Sequence, residues 1–378
     1  MSPQMKNVAC LMNNFLKRIA PALALLGLMA WLPVAHAIDA DDVKAKLPAK
    51  SSLGLPTPLP KPVKLSFCLF DPFGTGGKVV AIARELAVYA EAFNLYADIR
   101  PYTDERVASE DFKAGRCDVV AISTLRAKQF NNVLGSIDAP GNLRNYAEMK
   151  TLLTQLSKPV VASLAINGRY QVAAVVPIGA VYIYVNDRSI NSLSKAAGKR
   201  IVVLDWEPNM AKMVSGLGAQ PVLADFTTYA GKFNNGQADI IAAPALAYKP
   251  MELAKGMGEK GGVIHYPLLQ ATAAILVRRD LVLPRIPDLD ARLTELRKFG
   301  LQYLDKLFEL LTEAEKDIPA SRWVELPANE RARYDQMLAE ARVYLMKQGV
   351  YDPVMLSLMK RARCAHQPKA SECSKFDE

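Results

Sequence analysis

The ten residues FKAGRCDVVA at 112–121 return as FNNGQADIIA at 233–242. Each copy reads Phe, two residues, Gly, two residues, Asp, two β-branched apolar residues, Ala. Few folds accommodate that pattern. The Phe closes the apolar face of a helix, the Gly takes the left-handed cap, and the apolar pair opens a strand buried on both faces. The Asp falls at the strand entrance, the end opposite the crevice where open parallel sheets bind ligands. The spacing therefore predicts a helix-to-strand hinge occurring once in each of two α/β lobes, with a structural Asp118 and a structural Asp239.

The flanking segments agree. Before and through the first copy run KLSFCLF, GGKVVAIARELAVYAEAF, YADIRPY, DERVASEDFKAG and CDVVAIS, alternating strand and helix periodicities. Around the second run GAVYIYVND, SINSLSKAAGK, RIVVLD, NMAKMVSGLGA, QPVLADF, TTYAGKFNNGQ and ADIIAAPALAY, another α/β sheet of similar size. With 378 residues, 51% of them hydrophobic, two ordinary cores fit. VIHYPLLQATAAILVRR reads as strands returning to the first lobe, and the remainder carries helical spacing. The expected boundaries are lobe 1 at 63–178, lobe 2 at 179–263, a return at 264–290 and C-terminal helices at 291–378. Extended crossovers near Pro177–Val181 and Ile264–Ala271 would form the hinge.

Residues 1–37 have the anatomy of a cleavable secretory signal. Lys17 and Arg18 precede an uncharged IAPALALLGLMAWLPV and then Ala35-His36-Ala37, small residues flanking the expected cleavage after Ala37. That apolar run is shorter than the roughly 20 residues a spanning helix needs. A proline-rich arm, 38–62, follows and is expected to be extended and unpacked. Removing the leader takes the net charge from +9 to +6, too mild for a nucleic-acid track. Export leaves Cys68, Cys117, Cys364 and Cys373 in an oxidising compartment, where three pairings are open. Adjacent strands favour Cys68 with Cys117, and proximity in sequence favours Cys364 with Cys373. Beyond the leader, the two histidines His265 and His366, without a C-x-x-C or a nucleophile pattern, point to neither a metal site nor an enzyme. No cofactor is expected.

YTDERVASEDFKAGRCDVVAIS, LGSIDAPGNLRNYAEM and LGAQPVLADFTTYAGKFNNGQADIIAAP carry a resemblance to the solute receptors of TRAP transporters, the DctP-like group, and more closely to AdeT-type solute-binding proteins. It runs from about Leu65 to Arg279. It implies a two-lobed periplasmic-binding-protein fold of type II kind, each lobe an open, mostly parallel sheet, with C-terminal helices bracing both lobes. It also implies a small-molecule ligand held in an interlobe cleft and integral-membrane transporter subunits as partners. The sequence departs where such receptors typically place arginines that clamp a ligand carboxylate: matching GAVYIYVNDRSI and AAGKRIVVLD puts Val181 and Val202 there. A periplasmic adaptor that keeps the fold without that clamp is the alternative.

Crevices form at the carboxyl ends of strands, which selects the candidate ligand residues. After LSFCLF, Asp71, Thr75, Gly76, Gly77 and Lys78 make a glycine-rich turn into a helix, an expected anion cradle. After CDVVAIS come Ser123, Thr124 and Arg126, and after RIVVLD come Asp205 and Trp206, with Tyr248 as the second-lobe wall. Arg126 suits a carboxylate; Asp205 with Trp206 suits a cation.

Overall fold

The computed structural model describes residues 57–375, 377 and 378. The leader, its cleavage position and the arm as far as residue 56 lie outside the described residues. The strands are β1 (Val63–Phe70), β2 (Leu95–Tyr102), β3 (Val119–Ser123), β4 (Ile166–Asn167), β5 (Tyr170–Val185), β6 (Arg200–Leu204), β7 (Gln220–Ala224), β8 (Ile240–Pro244), β9 (Gly262–Arg278) and β10 (Trp323–Val324). Their order is β2-β1-β3-β9-β5-β8-β6-β7, with β4 and β10 attached to β5 and β9. The helices that place the site are α1 (Lys78–Glu91), α2 (Glu105–Lys113), α3 (Thr124–Ala127), α4 (Tyr146–Leu156), α5 (Pro208–Gly216), α6 (Phe226–Asn234), α7 (Leu304–Glu315), α8 (Ala328–Lys347) and α9 (Pro353–His366).

Each lobe has its parallel set, β2-β1-β3 in the first and β8-β6-β7 in the second. The two lobes' sheets are continuous with each other, because the pair joining the lobes is itself sheet. Strands β5 and β9, 16 and 17 residues long, cross both lobes and pair antiparallel along their length. Their register shifts at Pro177/Gly179 and Val181/Ile183, within the stretch expected to hinge. Each shift relieves the ladder locally and lets the paired strands bend.

The repeated decapeptide behaves as its spacing predicts. Phe112 and Phe233 are fully buried at the ends of α2 and α6. Gly115 and Gly236 have φ of 77° and 71°, and the next residues' N–H groups bond back to Asp111 and Lys232 carbonyls, closing each helix. Asp118 then accepts from the N–H of Ser66 on β1, and Asp239 from the N–H of Arg200 on β6. Each Asp also holds an arginine, Arg285 or Arg200. The Arg200 bonds pull the Asp239 carboxyl down to about 2. Both carboxylates stitch a strand start to its neighbour.

Two bridges are present, Cys68–Cys117 with Cα atoms 5.8 Å apart and Cys364–Cys373 at 5.7 Å. The end of the arm departs from expectation. Leu59 is buried in a first-lobe cluster with Leu65 and Val119, and its N–H bonds to the Phe93 carbonyl. A single leucine with a backbone partner suffices to dock the chain there before β1.

The C-terminal helices brace both lobes. On α8, Glu330 accepts from the N–H of Leu193 in the second lobe, while Arg342 donates to the carbonyls of Pro140 and Gly141 in the first. Phe308 of α7 stacks on Tyr146 of α4, and α9 packs against α4. Among the described residues, no helix is long and apolar enough to cross a membrane.

Candidate ligand site between the lobes

Strands β1 and β3 of one lobe and β6 and β7 of the other bring residues at or just beyond their ends together. Phe70, the last residue of β1, lies 5.5 Å from the ring of Phe226, which follows β7. Arg126, three residues after β3 ends and within α3, sets its guanidinium carbon 3.6 Å from the Trp206 ring centroid. Lys128 reaches Glu207 at 3.3 Å. Three contacts of different chemistry thus join the lobes.

Arg126 is oriented from behind. Glu105, the first residue of α2, is buried, and its carboxylate accepts from the Ser123 N–H and hydroxyl at 3.1 Å and from Arg126 Nε at 3.4 Å. Burial pushes the Glu105 carboxyl above its usual range, and Arg126 and Ser123 oppose that push. A buried carboxylate needs such partners, so it fixes both of them. The terminal amino groups of Arg126 make no hydrogen bond among the described residues. The guanidinium is therefore held at Nε and on one face, with its outer edge left for a ligand, the geometry suited to a two-point carboxylate contact.

Beside it, Glu207 is also buried, which raises its carboxyl against the pull of Lys128. Deeper in the first lobe, Thr272 donates to Asp138 at 2.6 Å, with its hydroxyl 2.8 Å from Thr124 Oγ1. Burial pushes the Asp138 carboxyl up to about 7. A cavity of about 450 Å³ opens over this region, lined by Leu125, Arg126, Lys128, Trp206 and Glu207, by Pro208, Gly349 and Val350, and by the amides of Gln129, Asn132 and Asn209. That volume is in the range of small-molecule sites.

Of the residues selected from sequence, Arg126 and Trp206 come together in this cavity's wall, and Ser123 supports them through Glu105. The expected anion cradle is corrected by its own aspartate. The Asp71 carboxylate accepts from the N–H groups of Phe73, Val79 and Val80, so the start of α1 already holds an anion. Gly77 is required there because a Cβ would sit 1.9 Å from Asp71 Oδ2. Thr75, Gly76 and Lys78 are exposed on the same turn, outside the cavity's lining. Thr124 is fully buried against Thr272, and Tyr248 lies in the second-lobe core, stacked on Tyr184, rather than on a wall. Asp205 is exposed beside Trp206. Val181 and Val202 are both buried and offer no donor. Sequence reasoning missed Glu105, Lys128, Asp138 and Glu207. Nothing in TDER or WEP distinguishes a buried carboxylate from a surface one before the chain is folded.

Residues 82–378 match the model of the family described as "Solute-binding protein AdeT 1/2". The chain is 40% identical over 310 residues to "Probable solute-binding protein AdeT1" of Acinetobacter baumannii, covering 82% of this chain and 100% of that one. It is 29% identical over 240 residues to "Probable solute-binding protein AdeT2" of the same organism, 64% of this chain and 98% of that one. Among solved structures it is similar to a TRAP periplasmic solute-binding protein of Ralstonia eutropha with bound (S)-2-acetolactate. The TM-score is 0.65 at 15% identity, over 81% of this chain and 99% of that one. A Shewanella oneidensis counterpart with bound succinate gives 0.63 at 13%, over 80% and 99%. At those identities the likeness establishes the two-lobed fold.

Proposed function

The chain belongs to the AdeT 1/2 family of solute-binding proteins, and from that premise we propose that it is a periplasmic receptor capturing a small organic acid between its lobes for a TRAP-type membrane transporter. One observation carries the choice of ligand. Arg126 is clamped at Nε by buried Glu105 and on its face by Trp206, leaving its terminal amino groups to a carboxylate in the cavity. The carboxyl-bearing ligands of the structural neighbours suit the same donor. On this reading the anchor has moved from the strand positions now held by Val181 and Val202 to the start of α3. Cleavage of the leader after Ala37 would deliver the mature chain to the periplasm.

The test is thermal shift on ligand-stripped mature protein against a library of organic acids. A ligand present at 100 times its dissociation constant adds about 2.7 kcal/mol of stability, a readable rise in Tm. At least one acid is expected to produce it, and Arg126→Gln is expected to remove it. A library without a hit, or a rise that survives Arg126→Gln, would refute the assignment. The direct lobe-to-lobe contacts of Phe70 with Phe226 and Lys128 with Glu207 favour a second reading, an adaptor that keeps one closed shape. It would ignore the library.

A further inference from the structure

A second cavity, of about 460 Å³, adjoins the first and shares Asn209 and Val350 with it. Its walls are two helix faces. Asn209, Lys212 and Met213 come from α5, and Ala341, Tyr344 and Leu345 from α8 with Gln348 capping its end, each set at three- and four-residue spacing. Sharing Asn209 and Val350, the chambers are read as one groove running from Trp206 along α5. From Pro208 to Lys212 the helix advances about 6 Å.

The chemistry changes along the groove. Met213, Leu345, Ala341 and Val350 give the outer chamber an apolar floor, and no Asp or Glu lines it. Glu207, the one acid lining the inner chamber, is paired with Lys128. Lys212 is exposed and has no ion-pair partner among the described residues. The groove thus offers a cationic edge at Arg126 in one chamber and, in the other, an apolar floor with a second cation at Lys212. Its walls also belong to different bodies: α5 is part of the second lobe, while Leu345 belongs to the first-lobe core, against which Met213 packs. An occupant would tie the lobes together.

We propose that this groove is a second subsite, and that the ligand is an elongated amphipathic diacid with one carboxylate on Arg126, its methylene body along Met213 and Leu345, and its far carboxylate on Lys212. The proposal rests on the receptor reading above and deepens it by naming a length and a second charge. Short diacids seat at Arg126 only. Long monoacids gain the apolar floor and forgo the second charge.

Calorimetry on the mature chain tests this with α,ω-dicarboxylates of four to twelve carbons and the matching monocarboxylates, using wild type, Lys212→Ala, Lys212→Arg and Arg126→Gln. Affinity is expected to rise at least tenfold from the four-carbon diacid to the best longer one. Lys212→Ala is expected to cost the longer diacid about fivefold, the scale of an exposed charge pair, and more than it costs the equally long monoacid. Lys212→Arg should recover most of the loss. Tightest binding by the four-carbon diacid, or equal losses for diacid and monoacid, would overturn the subsite while leaving the receptor reading intact. Long diacids that respond to Lys212→Ala and ignore Arg126→Gln would instead overturn the Arg126 anchor. Failure of every acid would overturn both.

Discussion

Asp138 shows how one buried carboxyl sets a pH dependence. Its partner Thr272 is neutral, and burial holds its carboxyl near 7, above the ordinary value of about 4. Folding therefore favours the protonated form. The stability it contributes is fully present below about pH 4 and is lost as pH rises through about 7. Glu105 and Glu207 are shifted in the same direction, also by burial, and Lys128 opposes the shift at Asp138 and Glu207. In Asp138→Asn, the fall in Tm between pH 4 and pH 7 is expected to flatten but not vanish, because the two glutamates remain. An unchanged slope would mean that Asp138 is solvated. Asp239 works the other way: Arg200 lowers it to about 2, so its contribution stands above about pH 4 and disappears only as pH falls through 2. This contrast explains what was legible in the sequence at residue scale. The roles of Asp118 and Asp239 follow from a repeated local spacing. Those of Asp138 and Glu105 depend on what packs over them from Thr272 and Ser123, which no local pattern encodes.

At the scale of elements, the turn from β1 into α1 illustrates a correct motif with a different occupant. The glycine-rich DPFGTGGK does expose helix N–H groups, and the chain's own Asp71 takes them. Sequence spacing locates such a terminus reliably; it does not say whether the anion is intramolecular. Gly77→Ala must push the Asp71 carboxylate away, losing the cap and straining the turn, at a cost of about 2 kcal/mol or more. Urea unfolding checks this, and a loss below about 0.5 kcal/mol would show that the cap is dispensable. The bridges differ in the same accounting of local against distant contacts. Cys68–Cys117 encloses a separation of 49 residues and Cys364–Cys373 one of 9. The chain-entropy relation gives about 4 and about 2.6 kcal/mol. Removing the first pair is expected to cost more than removing the second, and the reverse order would locate the main stabilising effect in the tail. Unreduced peptide mapping should recover both pairs, whereas four alkylatable thiols in native protein would refute the pairing.

At the scale of the whole molecule, the alternation of strands and helices disclosed two α/β halves, because hydrophobic period is local. The joining of those halves into one sheet through β5 and β9 was not legible, since pairing between distant strands leaves no local signature. That shared pair, with its register shifts near Pro177 and Val181, makes motion of one lobe against the other a bend in two strands rather than disruption of a core. The contacts across the cleft favour the closed arrangement. Weakening them with Phe226→Ala and Glu207→Gln together should raise the radius of gyration measured by small-angle scattering. It should also lower apparent affinity in proportion to the lost closed population. An unchanged radius would mean that the braces on α7 and α8, not the cleft contacts, set the shape. The central claim is that the cleft of this chain holds an organic acid through Arg126. Native mass spectrometry of protein exported to the periplasm and purified without stripping addresses it most directly. A one-to-one adduct that leaves on denaturation, carries a carboxyl group, and is missing from Arg126→Gln prepared in parallel is the expected result; bare protein in both samples, or the same adduct in both, would contradict it.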